Sequence, residues 1–377
     1  MESMTHQLPW FWRSFYESAA MFWDVLWALV LGFAISAALQ VFVSKERMTQ
    51  ALGGAGLREV VLATAFGAAS SSCSYAAVAA ARSAFQKGAS LVATLAFMFA
   101  STNLVFELGF VLWLLMGWRF VLAELVGAFV LIGVMWLLVR LTLPQGLEKE
   151  ARAHEDAAAH HGYGHEGHDH AGHSPEVKGL RTVADAFAMD WGMMWKEMTV
   201  GFLISGFLAV LVSNHIWRAL FLTHSGPAVL RLVENAIVGP LIAVLSFVCS
   251  IGNIPLASVL WSGGISFGGV IAFIYADLII VPLILIYHKY YGRRMAAYIT
   301  LILFASMVIS GVIVDLLFGA LHLIPTGPRP VSAISMAHFA WNYTTWLDGL
   351  ALMAAGVLAA AHYQGKQKAV PEAHSHH

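Results

Sequence analysis

The residues best suited to chemistry are the chain's only two cysteines, Cys73 and Cys249, which lie 176 positions apart. Each is followed directly by a serine, Ser74 or Ser250. A cysteine beside a helix N-terminus gains thiolate character, and thiolates are preferred ligands of soft metal and metalloid ions. The alternative is that both are small buried hydrophobic side chains. Their matched positions favour a ligand site.

Both cysteines occur where a membrane helix is predicted to break. Residues 70–74 are small and mostly polar, and residues 249–255 contain Asn253 and Pro255. Pro255 suits the first turn of a new helix, with Asn253 as its N-cap and Ser74 as the cap in the first segment. Half-helix N-termini at such a break carry partial positive charge and free N–H groups. The predicted substrate-binding residues are Ser72, Cys73, Ser74, Asn103, Cys249, Ser250 and Asn253.

Carboxylates in apolar segments are a second set of candidates, because a charge at membrane depth is costly and is usually functional. Asp277 and Glu107 are predicted to couple transport to protons, and the counterpart of Asp277 at an offset of 176 is Ser101. The alternative for Asp277 is a packing position with a hydrogen-bonded partner. Glu124 and Asp315 are weaker candidates.

Histidines are concentrated in a polar linker, residues 144–181, that interrupts the apolar pattern. His-x-His and His-x-x-His spacings bind Zn, Ni or Cu. We predict a disordered tract that buffers or senses metal; a compositional accident is the alternative. No cofactor is otherwise required. The predicted metal ligands are His160, His161, His165, His168, His170 and His173.

The composition decides which class of protein positions these residues. Only 11% of the 377 residues are charged and 59% are hydrophobic, against roughly 25% charged in soluble proteins. This composition excludes a soluble enzyme, a nucleic-acid binder and a disordered protein. Two cysteines do not make a disulfide scaffold, and neither a Walker A motif nor a hydrolase motif occurs. The chain is predicted to be an all-α polytopic membrane protein, not an enzyme.

Apolar runs of about 20 residues predict the membrane spans. Near one span end, Glu234 and Asn235 lie beside Arg231 and are interpreted as part of an interfacial ion pair. The predicted division is an N-terminal membrane repeat (1–143), a linker (144–181), a C-terminal membrane repeat (182–322), an extra span (323–365) and a tail (366–377). The predicted spans are 22–43, 90–116, 120–141, 199–222, 268–287, 298–321 and 344–362.

The two halves around the linker resemble each other. At an offset of 176, Cys73-Ser74 aligns with Cys249-Ser250, and a glycine and a serine downstream also coincide. Upstream, Gly32-Phe33 aligns with Gly201-Phe202 at an offset of 169. Many transporter folds are built from two such halves. The alternative is coincidence between two Gly/Ala-rich segments.

The distribution of basic residues favours one topology. If the two Cys-containing segments are re-entrant hairpins, 16 of the 21 Lys and Arg residues lie on one side, including the linker and the C-terminus. Basic residues prefer the cytoplasmic side. Each half then crosses the membrane an odd number of times, so the halves are inverted-topology repeats. In that arrangement Cys73 and Cys249 meet near the midplane, within about 15 Å of each other.

The motifs resemble the two signatures of the bacterial ArsP/YraQ-type permeases. The first is Ser71-Ser72-Cys73-Ser74, with Lys87-Gly88 and Ala100-Ser101-Thr102-Asn103, and the second is Cys249-Ser250-Ile-Gly252-Asn253-Ile-Pro255 with Ala276-Asp277-Leu278. Ser71, Ala77 and Ala79 differ from the residues usual in the first signature. The resemblance covers about residues 22–320 and implies export of trivalent organoarsenicals.

These observations predict a bacterial inner-membrane secondary transporter whose linker and C-terminus are cytoplasmic. It would export soft trivalent metalloids such as methylarsenite by alternating access and proton antiport. The alternatives are a divalent Zn, Ni or Co exporter with a metal-buffering loop, and a non-transporting membrane metal sensor. The expected partners are a small metalloid or metal substrate and membrane lipid, with no nucleic acid and with a homodimer left open.

Overall fold

The computed structural model describes residues 9–42, 56–70, 74–86, 88–160, 180–212, 216, 220–221, 227–246, 250–326 and 343–368. In this part of the chain every regular element is a helix. Five of the described helices are long and apolar enough to cross a membrane, and one bent pair makes a sixth candidate. The prediction of an all-α protein with several candidate membrane spans is confirmed.

Among the described residues, the first half contains six helices before the linker. Between α2 and α3 lie residues 71–73, which are outside the described residues. The helices are α1 (Trp10–Phe42), α2 (Leu57–Ser70), α3 (Ser74–Gln86), α4 (Leu91–Asn103), α5 (Phe106–Met116) and α6 (Trp118–Thr142).

One helix, α7 (Leu147–His160), belongs to the linker, and the remaining elements follow it. In the last long helix of the second half, α12, the backbone kinks at Gly292, where φ is 80° and ψ is 166°. The elements are α8 (Leu180–Leu211), α9 (Ala228–Ser246), α10 (Ser250–Gly263), α11 (Phe267–Ile274), a 3₁₀ helix (Tyr275–Ile279), α12 (Val281–Ala320) and α13 (Tyr343–Lys368).

Local backbone geometry repeats between the halves. Ser90 caps α4 by accepting a hydrogen bond from the Ala93 amide, and Ser266 caps α11 by accepting one from the Gly269 amide. Gly117, between α5 and α6, has φ 91° and ψ 169°, close to the values at Gly292. These correspondences fall at offsets of 175 and 176 in the sequence. They support the repeat predicted from sequence identity.

Two pairs of corresponding helices run antiparallel. Along α1 and α8, the rings of Phe15 and Phe207 are 5.3 Å apart, and those of Phe33 and Trp191 are 5.6 Å apart. The residue numbers rise in one helix as they fall in the other. Along α6 and α12, Thr142 Oγ1 is 3.0 Å from Tyr298 Oη, and Ser310 Oγ donates to the carbonyl of Gly127 at 3.1 Å.

The chain reverses direction between α9 and the end of α10. The amide of Ser266, three residues after α10, donates to Asn235 Oδ1 in α9 at 3.0 Å. A straight helix from residue 235 to 263 would separate these ends by about 42 Å. The geometry fits the re-entrant interpretation of the second motif segment. Residues 247–249, between the two helices, lie outside the described residues.

The membrane bundle has two ends, which we call the linker face and the opposite face. At the linker face are the α3–α4 turn at Gly88, helix α7 and the kink at Gly292, where the rings of Phe85 and Tyr291 are 5.4 Å apart. At the opposite face are the turns at residues 117 and 264, with an aromatic cluster of Phe120, Trp261, Phe267 and Phe318. Residues 120–142 of α6 connect the faces over about 33 Å, close to the hydrocarbon thickness of a bilayer.

Several predicted spans are wrong in detail. Span 90–116 is two helices bent by 47°, because Val105 is extended with φ −123° and ψ 146°. Span 268–287 is interrupted at Ile280, which is extended and directly precedes α12, and Pro282 lies in the first turn of that helix. Helix α1 begins at Trp10, well before residue 22. Helix α8 ends at Leu211, short of residue 222. The spans 120–141, 298–321 and 344–362 agree with α6, the second part of α12 and α13.

The prediction that the whole linker is disordered is also wrong, because α7 occupies its first part. Leu147 and Ala151, one turn apart, are both buried. Glu148 and Arg152, at the same spacing, form an ion pair of 2.8 Å, and such pairs support helix formation. Residues 161–179 lie outside the described residues.

Candidate functional site

Two serine hydroxyls, one from each half of the chain, meet at a single buried carboxylate. Ser74 Oγ donates to Asp277 Oδ2 at 2.5 Å, and Ser250 Oγ donates to the same oxygen at 2.8 Å. All three residues are inaccessible or nearly so, with exposed fractions of 0%, 3% and 0% for Ser74, Ser250 and Asp277. The structure therefore brings together three residues that the sequence placed in three separate segments.

The local structure explains why these side chains converge. Ser74 is the first residue of α3 and Ser250 is the first residue of α10, so both lie where a half-helix starts. Asp277 lies in the 3₁₀ helix, which ends at the extended residue Ile280. Two buried tyrosines hold this helix: Tyr275 Oη donates to the Glu124 carbonyl at 2.7 Å, and Tyr287 Oη donates to the Leu278 carbonyl at 2.9 Å.

Several buried polar atoms near these elements have no hydrogen-bond partner among the described residues. They are Asp277 Oδ1, both amide atoms of Asn253 and Asn103 Oδ1, and all three residues are fully buried. An unsatisfied buried polar atom costs roughly 1–3 kcal/mol and requires an explanation. Asn253 follows Ser250 by three residues, so both lie on one face of α10. That face of α10 therefore carries an amide donor and an amide acceptor one helical turn from Ser250.

Helix ends and hydroxyl donors partly offset the cost of burying a carboxylate at Asp277. Two half-helices, α3 and α10, direct their N-terminal ends at it through Ser74 and Ser250. Such ends carry partial positive charge and free N–H groups, and hydroxyl donors add charge-assisted hydrogen bonds. The arrangement can hold a carboxylate in a dry interior and can exchange a proton or a polar ligand with it.

The other predicted site residues have different positions. Asn103 ends α4, where its Nδ2 donates to the Phe99 carbonyl at 3.1 Å. Glu107 lies in the first turn of α5 against α1, where a Cβ added at Gly32 would be 2.6 Å from the Glu107 Cα. His160 is the last residue of α7. Eight predicted site residues lie outside the described residues: Ser72, Cys73, Cys249, His161, His165, His168, His170 and His173.

Two capping predictions need correction. Asn253 is the fourth residue of α10, inside the helix, so it is not an N-cap. Ser74 belongs to α3 itself, and its hydroxyl donates to Asp277 instead of capping the helix. Asn235 is buried and joins segments by donating to the Phe221 carbonyl at 3.0 Å and accepting from the Ser266 amide.

Sequence reasoning missed the residues that hold the site in place. Tyr275 and Tyr287 flank Asp277 in an apolar run, and that spacing was their only signal. Asp315, a weaker candidate in the sequence, accepts a hydrogen bond from the Gly268 amide at 2.7 Å and so supports the start of α11. Within the described ranges no group of three or more His, Cys, Asp or Glu side chains could hold a metal ion.

Comparison with known proteins adds a family to this geometry. The family model ArsP_1, described as a predicted permease, matches residues 14–316. The protein named "Putative permease Rv2963" of Mycobacterium tuberculosis (strain ATCC 25618 / H37Rv) is 45% identical over 325 residues, covering 84% of this chain and 79% of that protein. No solved structure matches the chain. The matched stretch contains Ser74, Ser250 and Asp277.

Proposed function

The chain belongs to the ArsP_1 family of predicted permeases, and from that membership we propose that it is a proton-coupled exporter of soft trivalent metalloids. Organoarsenicals such as methylarsenite are the substrates we favour. The proposal treats the chain as a secondary transporter of the bacterial inner membrane, with its linker and C-terminus in the cytoplasm. The 16 basic residues that fall on one side of the hairpin topology support this orientation.

The observation that carries the proposal is the shared carboxylate. Half-helices from both halves of the chain start at the hydroxyls that bond Asp277. Discontinuous helices that meet between two repeats are the usual place for substrate and coupling-ion sites in secondary transporters. The antiparallel pairs α1/α8 and α6/α12 support the further proposal that the halves are inverted-topology repeats.

In the proposed mechanism the two motifs bind the substrate and Asp277 carries the proton. Cys73 directly precedes Ser74 in the sequence, and Cys249 directly precedes Ser250. The two cysteines would supply thiolates for a trivalent metalloid. Asn253, whose amide atoms have no partner among the described residues, would orient the bound substrate. Asp277 would take up a proton when the substrate leaves and release it when the site faces the other side. Alternating exposure of one site then couples the two fluxes.

Everted membrane vesicles test the function directly. We expect accumulation of methylarsenite inside the vesicles that depends on a proton gradient and is abolished in Cys73→Ser and Cys249→Ser. The same assay with Zn, Ni and Co ions serves as the comparison. Uptake of a divalent metal without uptake of any arsenical would contradict the proposal and favour a divalent-metal exporter.

A further inference from the structure

Helix α7, in the linker, contacts the first half of the chain through one arginine. The Arg152 guanidinium donates to the carbonyl of Phe85 and, at 2.7 Å, to the carbonyl of Ala89. It also lies 3.9 Å from the centroid of the Phe85 ring. Phe85 and Ala89 flank the C-terminal end of α3, where helix carbonyls lack intrahelical partners and a cation is favourable.

The same helix also contacts the second half. Glu150 forms an ion pair of 3.4 Å with Arg294 of α12. The His154 ring packs over the kink of α12, since a Cβ added at Gly292 would lie 3.4 Å from the His154 Cγ. Helix α7 therefore bridges the two halves at the linker face.

The halves also touch each other directly at this face. The Arg82 guanidinium of α3 lies 3.7 Å from the centroid of the Tyr290 ring of α12. The rings of Phe85 and Tyr291 meet edge to face, with an interplanar angle of 88°. Cation–π and aromatic pairs of this kind have defined geometry, so they join α3 and α12 in a layer at the linker face.

The elements joined in this layer are those that form the candidate site. Helix α3 begins at Ser74, on Asp277, and ends beside Arg152 after 13 residues, or about 20 Å. The first part of α12 follows the 3₁₀ helix of Asp277 and ends at the kink under His154. A movement at one end of these short rigid helices is transmitted to the other.

We propose that Arg152 is a positioning residue that holds the linker face closed, and that α7 is the strap of this gate. The inference rests on the proposed alternating access, because access to the site from the linker face requires α3 and α12 to separate. Separation breaks the bonds of Arg152 to the Phe85 and Ala89 carbonyls. The linker is thus part of the transport cycle and is more than a connection between repeats.

Arg152→Gln tests the gate, with Lys149→Gln as the matched control. Lys149 lies on the same helix, is exposed and loses the same charge. Weakening the closed state raises the population of the linker-open state, so we expect the KM for substrate offered at the linker face to fall by about tenfold. The maximal rate should change less. A purely structural role would lower the yield of folded protein and leave KM unchanged.

Hydrogen exchange of peptide 82–90 gives a readout that needs no substrate. We expect faster exchange in Arg152→Gln than in the wild type and in Lys149→Gln. Tyr290→Leu, which removes the partner of Arg82, must act in the same direction even if Arg152→Gln fails to fold. Wild-type exchange in the folded variants overturns the gate. Faster exchange in a protein that transports no arsenical leaves the gate standing and overturns the proposed substrate.

Discussion

Asp277 combines complete burial with a carboxylate oxygen, Oδ1, that has no partner among the described residues. Its other oxygen accepts two hydroxyls. A group that served only to join helices would be satisfied on both sides, because half-satisfied buried networks are costly. At the scale of single residues, this unequal environment is the strongest sign of function.

We expect Asp277→Asn to express normally and to lose transport. The amide keeps the volume and can still accept from Ser74 and Ser250, but it cannot exchange a proton. Loss of the charge should reduce the rate by about tenfold or more, since hydrogen bonds to a charged group are worth roughly 1.5–3 kcal/mol. It should also flatten the pH dependence. Uptake by proteoliposomes between about pH 5.5 and about pH 8.5, on both sides of neutrality, measures the rate and its pH dependence.

Asp315→Asn is the matched control for that variant. Asp315 accepts from the Gly268 amide at 2.7 Å, a bond that an asparagine oxygen can keep. We expect the wild-type pH profile with at most a small loss of thermal stability. A flattened profile in Asp315→Asn, or a normal one in Asp277→Asn, would mean that Asp277 is not the coupling residue.

The two serines should contribute separately to the site. Ser74→Ala and Ser250→Ala each remove one donor from Asp277 Oδ2, and each loss should cost about 1–2 kcal/mol, or about fivefold to thirtyfold in transport. Ser306→Ala is the control, because the Ser306 hydroxyl donates to the Ile302 carbonyl of its own helix and not to Asp277. Equal transport in all three variants would argue against the shared carboxylate.

At the scale of elements, glycines with positive φ set the direction of the chain at both faces. Gly117 has φ 91° and ψ 169°, a region in which only glycine is common. Gly133 lies inside α6 with open space around its Cα hydrogens. No atom lies within 4 Å of a Cβ added at either glycine. An alanine therefore causes no steric clash at either position, and the two variants differ in backbone strain alone.

We expect Gly117→Ala to destabilise the protein by about 1–3 kcal/mol, because alanine is strained at this φ. Gly133→Ala should instead stabilise α6 by about 0.5–1 kcal/mol. Thermal unfolding in the same detergent measures both. A neutral Gly117→Ala would show that the α5–α6 turn can adopt another backbone conformation.

The motif breaks were predictable, whereas two other interruptions of the helices were not. Small polar residues at 70–74 predict the first break, and the alignment of the two halves predicts the corresponding break in the second half. The bends at Val105 and Ile280 occur among apolar side chains, so hydrophobicity shows a continuous span there. Helix α7 has a charged composition typical of disorder, and it is stabilised by tertiary contacts of Arg152 that a local pattern does not contain.

At the scale of the whole molecule, the linker face and the opposite face are chemically different. The linker face closes through arginines on aromatic rings, as in the Arg82–Tyr290 pair. The opposite face contains a cluster of aromatic rings, including Phe120 and Phe267 with centroids 4.8 Å apart. Charged groups collect at one end of the bundle, in line with the cytoplasmic orientation that we propose for the linker.

Labelling of added cysteines checks this orientation. We expect a membrane-impermeant thiol reagent, applied to intact cells, to leave Ser174→Cys in the linker unlabelled. Leu321→Cys, at the exposed end of α12 on the opposite face, should be labelled readily and serves as the positive control. Labelling of Ser174→Cys from outside, with Leu321→Cys protected, would reverse the topology.

The single carboxylate between two hydroxyls has a consequence for symmetry. The offset of 176 residues that aligns Ser74 with Ser250 also aligns Ser101 with Asp277. Ser101 is buried, and its hydroxyl donates to a carbonyl of its own helix. Two identical subunits would place an acid at both positions or at neither, and two close acids in a dry interior repel each other. A symmetric dimer of identical half-length chains therefore could not hold a single acid between both serines, whereas a chain with two unlike halves can.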